Sequence, residues 1–195
     1  VNAVTDEFAQ AIQNICDEKG ILLIVDEVQT GIGRTGTRFA YEQTVLKPHI
    51  VSMAKGLGGG FPIGGILGVA ELFDTFNAGT HGTTFGGNAL AVGVEHTVFE
   101  PTFLANVQQM SAYFIEQLQT HLPSSFSVQG KGLMLGLYCG GEDVAPVVSK
   151  LDEAGLLTVA AGPKVIRLLP PLTVTKEEID EAVAILKNTL SVNFV

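Results

Sequence analysis

Five apolar residues in unbroken succession, Ile21-Leu22-Leu23-Ile24-Val25, follow a glycine and run straight into two acids, Asp26 and Glu27. A run this short, aliphatic and without alternation predicts a strand buried on both faces, as a parallel sheet requires, rather than a helix. Upstream, Phe8, Ile12 and Ile15 recur at helical spacing behind Thr5, an N-cap residue type, and Gly20 supplies the stop. The spacing predicts a helix over residues 5–19 with that apolar stripe in the core. A helix feeding such a strand implies α/β layering.

Residues 49–54 and 65–69 are two further predicted strands, and 88–100 a helix opening after Gly86-Gly87. Pro101 marks a change of pattern: a helix to about residue 121, strands at 126–128 and 133–138, a helix at 144–154, a strand at 165–169 and a last helix at 176–190. The expectation is a glycine-punctuated α/β layer over residues 1–100, followed by a smaller α+β domain over 101–195. With 195 residues, 46% of them hydrophobic, the chain can build a substantial core. Its net charge of −9 and lack of any Lys/Arg cluster argue against nucleic acid as a partner. Cys16 and Cys139 are lone cysteines without metal-ligand spacing, so no metal is expected and both read as small buried residues of a reducing compartment. No segment reaches the ~18 apolar residues of a membrane span, and no basic-then-apolar leader opens the chain. A soluble, cytoplasmic protein is expected, and the absence of an initiator Met reads as a piece of something longer.

The chemistry-bearing residues fall at predicted strand ends. Asp26 stands at the carboxyl end of the first strand, where open α/β sheets place their ligands. Alternation puts Asp26 and Val28 on one side and Glu27 on the other, so charge and packing from the first two could meet a flat cationic ring. Lys55 closes the second strand 29 residues later (55 − 26) and opens a glycine-rich turn over residues 56–64. A primary amine there, desolvated by its neighbours, can attack a carbonyl to give a Schiff base. An acid for a ring nitrogen plus a lysine for an aldehyde is what pyridoxal phosphate needs. At this level two alternatives stay open: a solvated surface lysine, and the magnesium-binding strand of a nucleotide hydrolase. The second lacks its Gly-x-x-x-x-Gly-Lys-Ser/Thr loop.

Three ordered motifs carry a resemblance. Asp26-Glu27-Val28-Gln29-Thr30-Gly31-Ile32-Gly33-Arg34-Thr35-Gly36, then Ser52-Met53-Ala54-Lys55-Gly56, then His81-Gly82-Thr83-Thr84-Phe85-Gly86-Gly87-Asn88 are similar to the class III (ornithine-type) pyridoxal-phosphate aminotransferases. Gly130-Lys131-Gly132-Leu133-Met134 and Val165-Ile166-Arg167-Leu168 most resemble the acetylornithine-type members. The resemblance implies part of an aspartate-aminotransferase-like, fold type I large domain and a small C-terminal domain. It implies that Lys55 holds the cofactor and moves the proton, that Asp26 pairs with the pyridine nitrogen, that Val28 packs on the ring and that Gln29 bonds its phenolic oxygen. Glu27 belongs to the same cofactor-binding segment, although alternation gives it a structural role. Thr84 would meet the phosphate of a neighbouring subunit's cofactor and Thr83 its substrate, which makes the active site that of a homodimer. Arg167 would grip the α-carboxylate of glutamate or of 2-oxoglutarate through its planar fork. His81, beside Gly82, reads as a turn-shaping residue, and Arg34 and Arg38 as surface or interface residues.

Members of the class run to about twice this length. The resemblance places the own-subunit phosphate loop, the aromatic on the other ring face, an arginine for the acylated substrate and the glutamate partner of Arg167 in sequence upstream of this chain. Little transaminase activity is expected from these 195 residues alone.

Overall fold

In the computed structural model, which describes residues 1–84, 86–93, 99–140 and 143–193, the side chain of Thr5 accepts from the Phe8 N–H at 3.2 Å and starts helix α1 (Asp6–Lys19). Asp6 and Glu7 in its first turn and Lys19 in its last complement the helix dipole. Gly20, left-handed at φ 62, ends it. The chain then enters strand β1 (Ile24–Asp26), which runs parallel to β2 (Ile50–Met53); β3 (Gly65–Gly68) pairs antiparallel with the far edge of β2. His49 pins this register: its Nδ1 accepts from the Leu23 N–H at 3.0 Å while its own N–H donates to the Leu23 carbonyl at 2.8 Å. These elements and the short helix α2 (Ala89–Gly93) belong to one unit, Val4–Leu104. The rest of the helix expected over 88–100 falls largely on residues 94–98, outside the described ones.

Two expectations for this unit fail. The strand predicted over residues 21–25 forms only from Ile24, and instead of being buried on both faces it leaves Ile24 61% exposed, with Ile21 and Leu22 each 50% exposed. The apolar stripe of α1 is not core either: Phe8 is 59% and Ile15 50% exposed, whereas the buried residues of the helix are Ala9, Gln13 and Cys16. The physical reason is the same in both places. Periodicity marks the surface that wants cover, and among the described residues nothing covers it. Gln13 shows which face is engaged: its Oε1 accepts from the Lys47 N–H at 2.7 Å and its Nε2 donates to Asp17 at 2.8 Å.

The second unit comprises Val1–Ala3 and Ala105–Val195. Its antiparallel sheet has the order β4-β5-β7-β6, with β4 (Ser127–Lys131), β5 (Met134–Tyr138), β6 (Val159–Ala160) and β7 (Val165–Leu168). Helices α3 (Pro101–His121), α4 (Ala145–Glu153) and α5 (Lys176–Asn193) complete it. Leu118, Leu133, Leu135, Leu137, Leu151, Ile166 and Leu186 are fully buried and form its core. Both cysteines are free and buried.

Candidate active site

Because β1 and β2 run parallel with Asp26 opposite Ser52, the chain leaves both strands at the same end of the sheet. Asp26 is the last residue of β1, and Lys55 follows Ser52 by three residues (55 − 52), opening the tight turn Lys55–Gly58. An acid and an amine thus sit at the carboxyl ends of adjacent parallel strands. Asp26 is exposed, and its Oδ1 accepts from the Val28 N–H at 2.8 Å, which holds the carboxylate at its own strand end. Val28 and Gln29 are half-buried beside it. The amine is not desolvated as the sequence suggests: Lys55 is exposed, as are Gly56, Gly59, Gly60 and Phe61 in the glycine turn after it. Its backbone lies in the left-handed region at φ 48, a conformation uncommon for a side chain with a β-carbon. The turn beneath it is tight enough to need Gly58, since a β-carbon there would stand 2.8 Å from Ile63 Cγ2.

Glu27 faces inward and is 1% exposed. Its Oε1 accepts from the Tyr41 N–H at 2.8 Å, and its Oε2 accepts from the Thr30 hydroxyl. Burying a carboxylate is expensive unless donors meet it, and here both oxygens are engaged within one loop, residues 27–44. Gly31 fits under that closure because a β-carbon would come within 2.8 Å of the Glu27 carbonyl. Gln43 closes the far side, its Nε2 donating to Thr35 O at 3.0 Å and to Thr37 Oγ1 at 2.8 Å. Burial, with the nearby Glu42 and Glu27 carboxylates, raises the pKa of Tyr41 above that of an ordinary phenol. Of the two arginines expected at the surface or an interface, Arg34 is partly buried in this loop, and burial lowers its pKa, while Arg38 is exposed. Sequence reasoning missed Tyr41, Gln43 and the buried Ile32, none of which bears a motif of its own.

Thr83 and Thr84 are exposed in the same unit. The Thr83 hydroxyl accepts from the Gly86 N–H at 3.1 Å, which shapes a local turn. The His81 ring meets Phe76 edge-on at 6.1 Å between centroids. Arg167 belongs to the other unit, on β7 between β5 and β6, opposite Gly136 and Val159. Its Nε is buried and, among the described residues, has no hydrogen-bond partner, an N–H donor open to an acceptor. An exposed carboxylate and an exposed amine at adjacent strand ends fit a cofactor with a basic ring nitrogen and an aldehyde. Among the described residues, no group of three His, Cys, Asp or Glu side chains could hold a metal ion, and no helix is long and apolar enough to cross a membrane.

The family model for aminotransferase class-III matches residues 1–190. The acetylornithine aminotransferase of Bacillus subtilis (strain 168) is 51% identical, over 98% of this chain and 51% of its own length. Among solved structures, an ornithine aminotransferase from Plasmodium yoelii superposes with a TM-score of 0.86 at 33% identity, over 96% of this chain and 52% of its own. The N-acetylornithine aminotransferase of Stenotrophomonas maltophilia K279a does so with a TM-score of 0.84 at 33% identity, over 97% of this chain and 52% of its own. The chain spans about half the length of the relatives it matches.

Proposed function

The chain belongs to the class-III aminotransferases, and on that premise we propose that it carries the lysine-bearing part of an acetylornithine aminotransferase site, in which an amino group passes between N-acetylornithine and 2-oxoglutarate with pyridoxal phosphate as cofactor. The observation that carries the proposal is the placement of Asp26 and Lys55 at the carboxyl ends of two adjacent parallel strands. When bound, pyridoxal phosphate supplies an aldehyde that condenses with an amine and a ring that withdraws electrons. Lys55 holds that aldehyde and, once released, shuttles a proton as general base and acid. Asp26 keeps the ring nitrogen protonated; Val28 packs against the ring and Gln29 bonds its oxygen. Glu27, in the same segment, serves the cofactor through the loop it closes.

Arg167 binds the substrate carboxylate, a role its buried, unpartnered Nε supports. Thr83 and Thr84 complete the site of a second subunit, so the working enzyme is a homodimer. The chain comprises a partial large domain over 1–100 and the small domain over 101–195, and it acts in the cytoplasm, where free cysteines such as Cys16 and Cys139 persist. Sequence identity favours the acetylated donor, and the structural likeness to an ornithine aminotransferase makes ornithine the second donor to test. Titrating the protein with pyridoxal phosphate, reducing with borohydride and mapping the adduct by peptide mass spectrometry tests the site. The adduct is expected on Lys55 and absent from Lys55→Ala; an unchanged cofactor absorbance in that variant overturns the assignment.

A further inference from the structure

Two non-glycine residues among those described hold left-handed backbone, Ile32 at φ 56 and Lys55 at φ 48. Although 23 positions apart (55 − 32), they meet through Gly56: a β-carbon built on that glycine would stand 3.4 Å from Ile32 Cβ and 3.6 Å from its Cγ2. For a β-branched side chain this backbone is a true outlier, and it costs of order 1–3 kcal/mol. Glycine or asparagine would adopt it at less cost. An isoleucine held there, 2% exposed, has its cost offset by what its side chain packs against. That side chain lies against the residue immediately after Lys55. Its own position is fixed on both sides: Gly31 donates to the Glu27 carbonyl at 3.0 Å, and Gly33 donates to the Arg38 carbonyl at 3.3 Å.

We propose that Ile32 is a positioning residue for the Lys55 amine. Carried on a backbone held left-handed within the loop that Glu27 and Gln43 close, its β-branched side chain packs under Gly56 and fixes the turn from which Lys55 projects. The inference rests on Lys55 being the amine that meets the cofactor's aldehyde. It explains why a conformation unfavourable for isoleucine recurs one contact away from the same conformation at lysine. The Asp26 segment and the Lys55 turn then move as one body, because the loop that follows Asp26 carries the buttress.

The test measures where pyridoxal phosphate reacts. Adducts trapped by borohydride are quantified by peptide mass spectrometry at Lys55 and at exposed Lys47 in the same molecules, in wild type, Ile32→Val, Ile32→Ala and Ile32→Gly. Wild type and Ile32→Val, which keeps the β-branch against Gly56, are expected to prefer Lys55. Ile32→Ala and Ile32→Gly are expected to lose about tenfold of that preference. The loss in Ile32→Gly would not come from backbone strain, because glycine removes that strain. Equal preference in all four proteins overturns the inference and leaves the proposed function standing. Absence of any preference in wild type overturns the function and the inference with it. Should circular dichroism show Ile32→Ala and Ile32→Gly unfolded, Ile32→Leu keeps the apolar volume and withdraws the β-branch from Gly56; it is expected to lower the preference, and an unchanged preference overturns the inference.

Discussion

Burying a carboxylate costs least where donors replace its water, and Glu27 has two, the Tyr41 N–H at 2.8 Å and the Thr30 hydroxyl. In Glu27→Gln the amide oxygen can still accept from Tyr41 while its NH2 donates to a reoriented Thr30 hydroxyl, so the loss is expected at about 1 kcal/mol. Glu27→Ala strands the Tyr41 N–H and empties the space beneath the loop, and about 3 kcal/mol is expected. Urea unfolding of the two variants checks the ordering. Cys139 makes a second prediction at this scale. Burial pushes its thiol up from 9.0 to about 11, an effect partly offset by a backbone hydrogen bond from Ile166. Between those values the unfolded chain has released the proton and the folded chain still holds it. Native stability contributed by the neutral thiol is therefore complete below pH 9 and lost as pH rises toward 11. Wild type is expected to lose stability across that window relative to Cys139→Ala, on the order of 2 kcal/mol, as read by unfolding at several pH values; parallel curves would show that the thiol is not held neutral.

Most of the elements were legible from local signals, although the two-residue strand β6 (Val159–Ala160) was not expected. Residues 144–154 correspond to Ala145–Glu153 and residues 165–169 to Val165–Leu168, because Pro146 and Gly155 bracket the helix, and Gly162-Pro163 and Pro170-Pro171 the strand, whatever surrounds them. The β4-β5 hairpin shows how strict such punctuation becomes. Gly130 sits at φ 112, and a β-carbon on it would lie 2.1 Å from the Met134 carbonyl oxygen, a backbone atom that cannot swing away. Gly130→Ala is expected to cost about 3 kcal/mol or more through combined strain and overlap, measured as a lower urea midpoint; a shift of only a few tenths would mean that the hairpin relaxes freely. The candidate site was legible in its placement and not in its environment, since Lys55 is exposed where desolvation was expected. Asp26 and Lys55 could be placed at strand ends from an apolar run and a glycine turn, since both signals are local. The buttress at Ile32 could not, because nothing in Gly31-Ile32-Gly33 says that the isoleucine takes a left-handed backbone or meets Gly56. Nor could the face of α1 that is buried, since periodicity shows where apolar cover is wanted and not whether the chain supplies it.

At the scale of the molecule that missing cover has consequences. Phe8 and Ile24 remain largely exposed, as do Ile66 and Leu67 on β3, and among the described residues β1 and β3 each pair only with β2. A three-stranded sheet with two unpaired edges and apolar faces in water is a template for association. The 195-residue chain is expected to associate with increasing concentration in sedimentation velocity. Ile66→Lys, a charge placed on the exposed edge strand, is expected to shift the distribution toward monomer. The same exposure limits catalysis. Asp26 and Lys55 stand open to solvent, so water screens the charge of the acid and solvates the amine, whereas amino-group transfer gains most from groups held in a dry site. Transamination of N-acetylornithine with 2-oxoglutarate by this chain alone is therefore expected to stay near background in a glutamate-release assay with pyridoxal phosphate in excess, even though the adduct on Lys55 forms. Substantial turnover would mean that self-association of the chain itself closes the site around Lys55, and the Ile66→Lys variant would then lose activity in step with its loss of assembly.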